Sequence, residues 1–412
     1  MSSDSPAKLG RAARSQDSRY DGLGLVRAVN EQVVLETVFR EGQISRAGIA
    51  RVTRLSKPTV SSIVGELEAC GLVKSRGQSS GNVGRPSTLY EVNATAGFVF
   101  AMDLGGTKIR AGIGDIYGDI VAETTEPTVQ GSGEDLLGQV DMVFRGLVEE
   151  AKLDESEVRA AGIGIPGVFD PTQDLVSAAP NVPGLEELRV VEELVGVLRI
   201  PVVVDNDVNL AAAGERWRGL ATEQDNFVAI SIGTGIGMGI VIGGEIYRGA
   251  YGAAGEIDFL PLGGDRSPDT AGHGPFESAS SGPAMLEEFA KRVEDGAESK
   301  ADPREGVAGI FAAAAAGDRV AADIVGREAR RVATAIAAVC AVLDPQLVVL
   351  GGGVGANPYL LAPVRRHLAE IFPRVPRIET SALGDRAAFY GAMAVGLRVA
   401  RQVLLAEMSG GR

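Results

Sequence analysis

DLGGTKIRAGIGD, residues 103–115, is the stretch on which our interpretation of this sequence rests. An apolar run, residues 98–102, leads into Asp103, a Gly-Gly turn, Thr107 and Lys108, and a second strand-like run follows. Glycines let the backbone approach a phosphate closely. Exposed amides beside a hydroxyl and an ammonium bind anions, and a carboxylate can hold Mg²⁺. The stretch predicts a phosphate-binding turn between two strands, although taken alone it also fits an ordinary β-hairpin.

A second copy of this pattern occurs 128 residues further on, where FVAISIGTGIG starts at Phe227 and places Ser231 at the position of Asp103. Both copies continue into an alternating strand, a glycine-bearing turn and a third strand. An internal repeat of this kind indicates two similar α/β lobes. We therefore expect two glycine turns that face a shared cleft and hold a nucleotide's phosphates from both sides.

Length and composition describe a multidomain α/β protein. A chain of 412 residues is expected to form about two or three domains. No apolar run reaches the roughly 18 residues that span a bilayer, and the first residues lack the apolar segment of a secretory signal. The two cysteines, Cys70 and Cys340, fit neither a disulfide framework nor a thiolate metal site. We therefore expect a cytoplasmic protein with no membrane partner.

The charge is divided unevenly along the chain. Residues 1–92 carry 13 Lys and Arg against 9 Asp and Glu, a balance of +4. The other 320 residues carry 27 against 45, a balance of −18, which gives the net charge of −14. A basic head on an acidic body suits nucleic-acid contact at one end, and a merely solvated surface is the alternative.

Three short helical patterns follow a polar arm, residues 1–25, for which we predict disorder. The first helix begins at Leu25 or Asn30 with residues 33–35, 38 and 39 on its apolar side. The second follows Ser45 as N-cap, with Ile49, Ala50 and Val52 inward. The third follows Ser56, has proline in its first turn, and has inward residues at three-and-four spacing. This order predicts a helix-turn-helix within a domain spanning residues 26–93.

A predicted β-hairpin completes this domain as a wing. A strand from Leu72 leads to a Gly/Ser-rich tip, residues 77–84, and the chain returns through Arg85 and Pro86. An arginine at such a tip suits a narrow minor groove. The residues predicted to contact DNA are Ser56, Lys57, Thr59, Ser61, Ser62 and Arg85. A small trihelical protein-binding module is the alternative.

The motifs together resemble those of the ROK family (repressors, open reading frames and sugar kinases), in its DNA-binding regulator branch. They are the winged helix, DLGGTK, DNDVN from Asp205, SIGTGIG from Ser231, the GEI loop and LGGG from Leu350. The resemblance covers about residues 30–400. It implies that residues 94–412 adopt the duplicated actin-like, hexokinase-like (ribonuclease H-like) two-lobe ATPase fold.

Site residues follow from this resemblance position by position. It implies phosphate or ATP contacts at Asp103, Gly105, Gly106, Thr107, Lys108, Ser231, Gly233, Thr234, Gly235, Gly351, Gly352 and Gly353. It implies sugar contacts at Asn181, Asn206, Asp207, Glu256 and Glu277, with Asp207 as the catalytic base in the family's kinases. Carboxylates and amides suit vicinal hydroxyls, although Glu256 and Glu277 taken alone could be ordinary surface charges.

The chain departs from the family pattern around Glu256. Phe259 stands where the family has a histidine that serves the sugar and zinc sites. Pro268, Thr270 and Pro275 stand where three zinc cysteines would lie, and His273 is a single imidazole in this loop. Without thiolates we expect no structural zinc and assign no metal ligands.

Two functions remain open at this point. The first is a sugar-responsive transcriptional regulator, expected to repress, that binds operator DNA as a homodimer or homotetramer and requires no cofactor. Sugar binding between the lobes would shift operator affinity through its preference for one state. The alternative is an ATP- and Mg²⁺-dependent sugar kinase, glucokinase-like, that carries an extra DNA-binding domain. Intact phosphate motifs and Asp207 favour the kinase, whereas Phe259 disfavours it, and we expect the regulator.

Overall fold

The structure, a computed structural model, describes residues 22–78, 87–179, 181–262 and 273–410. Within them, the chain divides into two compact units. Unit 1 comprises the described residues up to Gly97 together with those from Arg401, and unit 2 runs from Phe98 to Ala400. The boundary between Gly97 and Phe98 lies close to the predicted start of the second domain at residue 94, and the residues from Arg401, predicted within that domain, cluster with unit 1.

Unit 1 is a winged helix-turn-helix. Its helices are α1 (Gly22–Glu41), α2 (Arg46–Thr53) and α3 (Lys57–Ala69), and its strands are β1 (Ile44–Ser45), β2 (Val73–Gln78) and β3 (Thr88–Val92). The strands form one antiparallel sheet in the order β1-β3-β2. The wing is therefore the β2–β3 hairpin, and its predicted tip beyond Gln78, including Arg85, lies outside the described residues.

Both predicted caps in the helix-turn-helix are present. The Ser45 hydroxyl accepts a hydrogen bond from the Gly48 amide at 3.1 Å, and the Ser56 hydroxyl accepts one from the Thr59 amide at 3.2 Å. Pro58 occupies the first turn of α3, where its missing N–H had no helical partner. Each cap satisfies an amide that the helix itself leaves unpaired.

Three local predictions in this unit were wrong. The helix α1 starts at Gly22, so residues 22–25 are helical rather than part of a disordered arm, and the rest of that arm lies outside the described residues. Val33 is 37% exposed because it lies at the far edge of the stripe formed by the buried Val34, Leu35 and Val38. Val52 is 40% exposed in the last turn of a helix that ends at Thr53.

Unit 2 contains two sheets with the same topology. The first has the order β10-β7-β4-β5-β6 and the second β15-β14-β11-β12-β13. The strands of the first sheet are β4 (Phe98–Leu104), β5 (Lys108–Asp115), β6 (Ile120–Pro127), β7 (Val158–Ile165) and β10 (Val202–Asn206). Those of the second are β11 (Phe227–Ile232), β12 (Ile236–Ile242), β13 (Glu245–Ile246), β14 (Leu347–Gly351) and β15 (Arg377–Thr380). Strands β8 (Val168–Asp170) and β9 (Leu175–Ser177) form a separate hairpin.

The internal repeat is thereby confirmed. In each sheet the first three strands in chain order form an antiparallel meander, and the last two run parallel to the first. Asp103 and Ser231 hold equivalent positions, one residue before the end of β4 and of β11. The predicted duplicated, ribonuclease H-like two-lobe fold is correct.

Helices cover the sheets. They are α4 (Gly133–Glu150), α5 (Val190–Leu198), α6 (Asp207–Arg218), α7 (Pro275–Ser280), α8 (Gly282–Glu294), α9 (Gly306–Ala315), α10 (Arg319–Leu343), α11 (Gly352–Gly355), α12 (Pro358–Ile371) and α13 (Ala387–Gly410). Phe100 of β4 and Phe144 of α4 meet edge to face at 5.2 Å in the core of the first lobe. The long helix α10 supplies many of the aliphatic side chains in the core of the second lobe.

Glycines allow α13 to pack closely against α6 and against strand β7. A β-carbon on Gly391 would lie 1.8 Å from the Leu210 carbonyl oxygen, and one on Gly214 would lie 2.2 Å from that of Ala387. A β-carbon on Gly162 would lie 2.0 Å from the Ala392 carbonyl oxygen. Since real side chains do not reach such distances, this packing of α13 requires glycine at these positions.

In the part of the chain that the structure describes, no helix is long and apolar enough to cross a membrane.

We predict that Gly391→Ala lowers the free energy of unfolding by about 1–3 kcal/mol, because the added methyl group must push α13 away from α6. Urea unfolding followed by circular dichroism measures this difference. The matched control is Gly326→Ala within α10, where a β-carbon would meet nothing within 4 Å. The control should be neutral or stabilising, by up to about 1 kcal/mol. Equal effects from both substitutions would contradict the account of close helix packing.

Candidate functional site

A cavity of about 170 Å³ lies where the parallel strands of the two sheets end. Its wall includes Asp103 at the end of β4, Asp207 after β10, Ser231 of β11 and Gly351 of β14. In open α/β sheets, ligands bind outside the carboxyl ends of the strands. The structure therefore brings residues from the two predicted phosphate motifs, the glycine run and the predicted sugar site to one cavity.

The first glycine turn is a tight reversal between β4 and β5. The Gly105 amide donates to the Lys108 carbonyl oxygen at 3.0 Å, and the Thr128 hydroxyl donates to the Gly105 carbonyl oxygen at 2.6 Å. A β-carbon on Gly106 would lie 2.8 Å from Cβ of Asn181, so the predicted sugar-site residue Asn181 packs directly against this turn. Thr107 and Lys108 are exposed on the turn.

The second glycine turn is held by Glu277. The Gly233 amide donates to the Gly235 carbonyl oxygen at 2.9 Å, and the Ile236 amide donates to Oε2 of Glu277 at 2.7 Å. Thr234 and Gly235 are exposed at the tip. Oε1 of Glu277 bonds Nδ1 of His273. Both carboxylate oxygens of Glu277 thus already have protein partners, and this residue links the predicted sugar site to the second phosphate turn.

The third glycine run lies against the second turn. Strand β14 ends at Gly351, and α11 begins at Gly352, which has φ +77° and whose β-carbon would lie 2.3 Å from the Ile232 carbonyl oxygen. A β-carbon on Gly353 would meet nothing within 4 Å. Only glycine combines this left-handed backbone at Gly352 with so close an approach to β11.

Asn206 and Asp207 stand at the junction of β10 and α6. Asn206 caps the helix, since its Oδ1 accepts hydrogen bonds from the Val208 amide at 2.9 Å and the Asn209 amide at 3.1 Å. Its Nδ2 donates to the Gly167 carbonyl oxygen at 2.9 Å. The side chain of Asn206 therefore fixes the helix start, and that start in turn places Asp207 in the cavity wall.

Asp205 anchors the same junction, a role that sequence reasoning missed. Its carboxylate is 5% exposed; Oδ1 accepts hydrogen bonds from the Asn206 amide at 2.9 Å and from Nδ2 of Asn209 at 3.0 Å. Oδ2 accepts two from the Arg248 guanidinium, at 2.9 Å from Nε and 2.5 Å from Nη2. A bidentate pair of this kind holds the loop after β13 against the start of α6.

Burial raises the pKa values of three carboxyl groups in this region. The pKa of Asp103 is raised to about 7, mainly by burial and secondly by the negative charge of Asp207. Arg110 and Lys108 lower it by a smaller amount. Burial raises the pKa of Asp207 to about 6, and Glu256 adds to the shift. Burial, with Asp258 and Glu277 nearby, raises the pKa of Glu256 to about 7. Acidic groups with pKa values near neutrality are suited to exchange protons with a bound hydroxyl.

The segment around Glu256 is acidic and is followed by an exposed aromatic residue. Asp258 is 6% exposed, its Oδ1 has no hydrogen-bond partner among the described residues, and burial raises its pKa. Phe259 follows it and is 45% exposed. Among the described residues, no group of three or more His, Cys, Asp and Glu side chains is placed to hold a metal ion. Pro275 begins α7 and offers no ligand atom, whereas positions 268 and 270 lie outside the described residues.

The predicted DNA-reading residues lie on or next to α3. Ser56, Lys57, Ser61 and Ser62 are exposed, and Thr59 is half-buried. Ser56 and Thr59 also bond each other through their hydroxyl oxygens at 2.7 Å, so they fix the helix start. Ser62 donates to Glu66 at 2.9 Å, whereas Lys57 and Ser61 are exposed near the start of the helix and are the stronger candidates for DNA contact.

Sequence reasoning also missed the residues after β15, which complete the cavity wall. They include Ser381, Gly384 and Asp385, and Glu215 of α6 joins them through a 2.5 Å hydrogen bond from the Ser381 hydroxyl. The place of this segment in the chain, directly after a parallel strand, was the sequence signal that could have identified it. It follows the last parallel strand of the second sheet, whose carboxyl end must face the same cavity as that of β14.

The two matching sheets, the glycine turns and the shared cavity define the class of two-lobe sugar-kinase-like proteins, here joined to a winged helix-turn-helix. The ROK family model matches residues 99–398, and the MarR family model matches residues 32–85. The chain belongs to the ROK family.

Similar proteins include both regulators and kinases. A xylose repressor of Caldicellulosiruptor bescii is 27% identical over 388 residues, which cover 90% of this chain and 96% of that protein. A glucokinase of Halalkalibacterium halodurans is 33% identical over 288 residues, covering 66% of this chain and 86% of that protein. One similar crystal structure is described as that of a ROK family transcriptional regulator, homolog of E. coli MLC protein. The match covers 94% of this chain and 100% of that chain, with a TM-score of 0.79 and 23% identity, and it supports the fold.

We predict that the free energy of unfolding of Asp207→Asn, relative to that of the wild type, increases as the pH rises from about 4 to above 6. The folded pKa of Asp207, about 6, exceeds its ordinary value of 3.8, so the folded state binds the proton more tightly. The wild type therefore loses stability from about pH 4 to above pH 6, and the uncharged variant escapes this loss. Urea unfolding of both proteins at several pH values across this range measures it.

Asp225→Asn serves as the control, since Asp225 is 68% exposed and pairs with Arg216 away from the cavity. A difference in unfolding free energy between wild type and Asp207→Asn that stays constant across the pH range would contradict the assignment of a raised pKa.

Proposed function

We propose that this protein is a sugar-responsive transcriptional repressor that binds operator DNA through unit 1 and a sugar through the cavity of unit 2. One observation carries the proposal. A winged helix-turn-helix with an exposed polar recognition helix is joined, in one chain, to a ROK body with an acidic ligand cavity. The similarity to a xylose repressor over 90% of the chain supports the same conclusion.

The DNA-binding step follows from unit 1. The helix α3 presents Lys57 and Ser61 at its exposed start, and the N-terminal residues of a recognition helix contact base edges in the major groove. Lys57 adds a charge that attracts phosphates, and Ser61 can donate to or accept from a base. Arg85, which the sequence predicts at the wing tip, is the proposed minor-groove contact. Operators with twofold symmetry suit a homodimer or homotetramer, which we propose as the assembly.

The proposed sugar-binding step centres on Asp207, the predicted sugar contact that the cavity wall includes. Asn181, Asn206, Glu256 and Glu277 are the further proposed contacts, because amide and carboxyl groups pair with vicinal hydroxyls. The side-chain oxygens of Asn206 and Glu277 already accept protein hydrogen bonds and would share or exchange them with the sugar. We propose that a pentose or hexose binds here and is held most tightly in one of two states of the protein. The ratio of its affinities for these states sets the shift in operator affinity. Because the chromosome is the partner, we place the protein in the cytoplasm.

A second candidate function is sugar phosphorylation with ATP and Mg²⁺. Asp207, with its pKa raised to about 6, fits the role of a base toward a sugar hydroxyl. Asp103, Ser231 and Gly351 line the same cavity and would flank a nucleotide's phosphates, where the bound Mg²⁺ would neutralise charge. Against phosphoryl transfer, Lys108 of the first phosphate motif is paired with Asp385, with Nζ to Oδ2 at 2.9 Å. We therefore favour the regulator.

We predict that Lys57→Ala weakens binding to DNA from upstream of the protein's own gene and lowers the salt slope of log K by about 1, because one phosphate contact is lost. Fluorescence anisotropy at a series of salt concentrations measures both quantities. Lys291→Ala, an exposed lysine of α8 in unit 2, is the control and should leave them unchanged. An unchanged slope in Lys57→Ala would remove this lysine from the interface.

We also predict that the protein, mixed with Mg²⁺-ATP and either D-glucose or D-xylose, releases ADP no faster than its Asp207→Asn variant. An enzyme-coupled ADP assay measures this rate. Sugar-dependent ADP release that Asp207→Asn abolishes would instead establish the kinase, since only the side chain that accepts the hydroxyl proton has been changed.

A further inference from the structure

Asp385 lies beside the first phosphate turn, on the short 3-10 turn Gly384–Arg386 between β15 and α13. It contributes to the wall of the cavity, together with Asp103 and Asp207. It is 64% exposed, so its carboxylate stands at the mouth of the cavity rather than in the protein interior.

Two cations of strand β5 converge on Asp385. Nζ of Lys108 lies 2.9 Å from Oδ2 of Asp385, and Nη2 of Arg110 lies 3.0 Å from the same oxygen. Nη1 of Arg110 also donates to the main-chain oxygen of Asp385 at 2.8 Å. Hydrogen bonds from Arg110 and Lys108 hold the pKa of Asp385 well below its usual range, so it stays ionised. One carboxylate oxygen therefore accepts hydrogen bonds from both cations, which leaves these two donors less available to a phosphate oxygen.

Two further arginines, one in contact with Asp205 and one next to Asp385 in the chain, are also paired. Arg248 is bound to the buried Asp205, and Arg386 bonds Glu123 at 2.5 Å. The cavity wall meanwhile carries the carboxyl groups of Asp103, Asp207, Glu215 and Asp385. As far as the described residues go, a ligand that brings a phosphate group therefore meets acidic groups in the cavity wall and cations that already have carboxylate partners.

We propose that Asp385 is a specificity-determining residue that excludes phosphorylated ligands from this cavity by occupying Lys108 and Arg110. The inference rests on the proposed sugar-binding function and narrows its ligand class to neutral sugars. Specificity of this kind works by repelling the wrong ligand as much as by binding the right one. The ion pair between Lys108 and Asp385 also neutralises a positive charge that could otherwise stabilise a transferred phosphoryl group.

The test compares the full-length wild type with Asp385→Asn by isothermal titration calorimetry. Inorganic pyrophosphate without divalent metal is the anionic probe, and D-xylose is the neutral probe. We expect Asp385→Asn to bind pyrophosphate about three- to tenfold more tightly than the wild type at low salt, because one negative charge beside the anion is gone. Asp385→Ala is the second variant, and because this side chain is largely exposed both variants should fold, which thermal unfolding verifies.

Two matched variants assign the effect. Asp119→Asn removes another exposed carboxylate, the partner of Arg218 at 3.0 Å, and should leave pyrophosphate affinity at the wild-type value. Adding Lys108→Met to Asp385→Asn should abolish the gain. If the folded Asp385 variants bind pyrophosphate no more tightly than the wild type, or if the gain survives Lys108→Met, the inference is overturned.

The xylose titration separates this inference from the function on which it rests. A pyrophosphate gain in Asp385→Asn upholds the exclusion by Asp385, whether or not D-xylose or another neutral monosaccharide binds. Absence of binding by a panel of neutral monosaccharides to the wild type would count against the proposed function alone.

Discussion

A β-carbon at Gly391 would lie 1.8 Å from the carbonyl oxygen of Leu210, so α13 and α6 touch through their main chains. This contact fixes the start of α13 beside α6, the helix that begins with Asp207. Asp385 lies two residues before α13, so the same contact helps to place Asp385 relative to Asp207 in the cavity wall. The geometry of the site therefore depends on glycines that carry no chemistry themselves.

The cavity wall carries several carboxyl groups, and their burial and their charged neighbours determine which of them are protonated near neutral pH. Asp103 and Asp207 of the cavity wall, and Glu256 outside it, have pKa values raised towards neutrality, whereas Asp385 is held ionised by Arg110 and Lys108. Carboxyl groups that are partly protonated can both donate to and accept from sugar hydroxyls. A fixed negative charge at the cavity mouth disfavours phosphate. These two effects together suit a neutral polyol and fit a regulator better than a kinase.

Most of the fold could be predicted from the sequence because it repeats. The copy of the DLGGTK pattern at Ser231 indicated two equivalent lobes, and the structure places Asp103 and Ser231 at equivalent strand positions. Caps at Ser45 and Ser56 located the helix-turn-helix, since a side-chain oxygen before an apolar period is a local signal. The helical period located the start of α1 less well, since it pointed to Leu25 or Asn30 and the helix is already formed at Gly22.

The site was only partly predictable. Motifs located the glycine turns, but the partners of Lys108 and Glu277 depend on residues far away in the chain or on the packing of short loops. The segment from Ser381 to Asp385 has no motif of its own and enters the cavity only through the pairing of β14 with β15. Tertiary contacts of this kind follow from the topology, so they become predictable only after the sheet order is known.

The central claim is that a sugar bound in unit 2 changes the affinity of unit 1 for DNA. The most direct measurement is fluorescence anisotropy of the full-length protein on DNA from upstream of its own gene, at fixed salt, with monosaccharides including D-xylose titrated in turn. The account predicts specific binding that one neutral sugar weakens severalfold or more. Specific binding that no monosaccharide shifts, or binding no tighter than to random DNA, would contradict it.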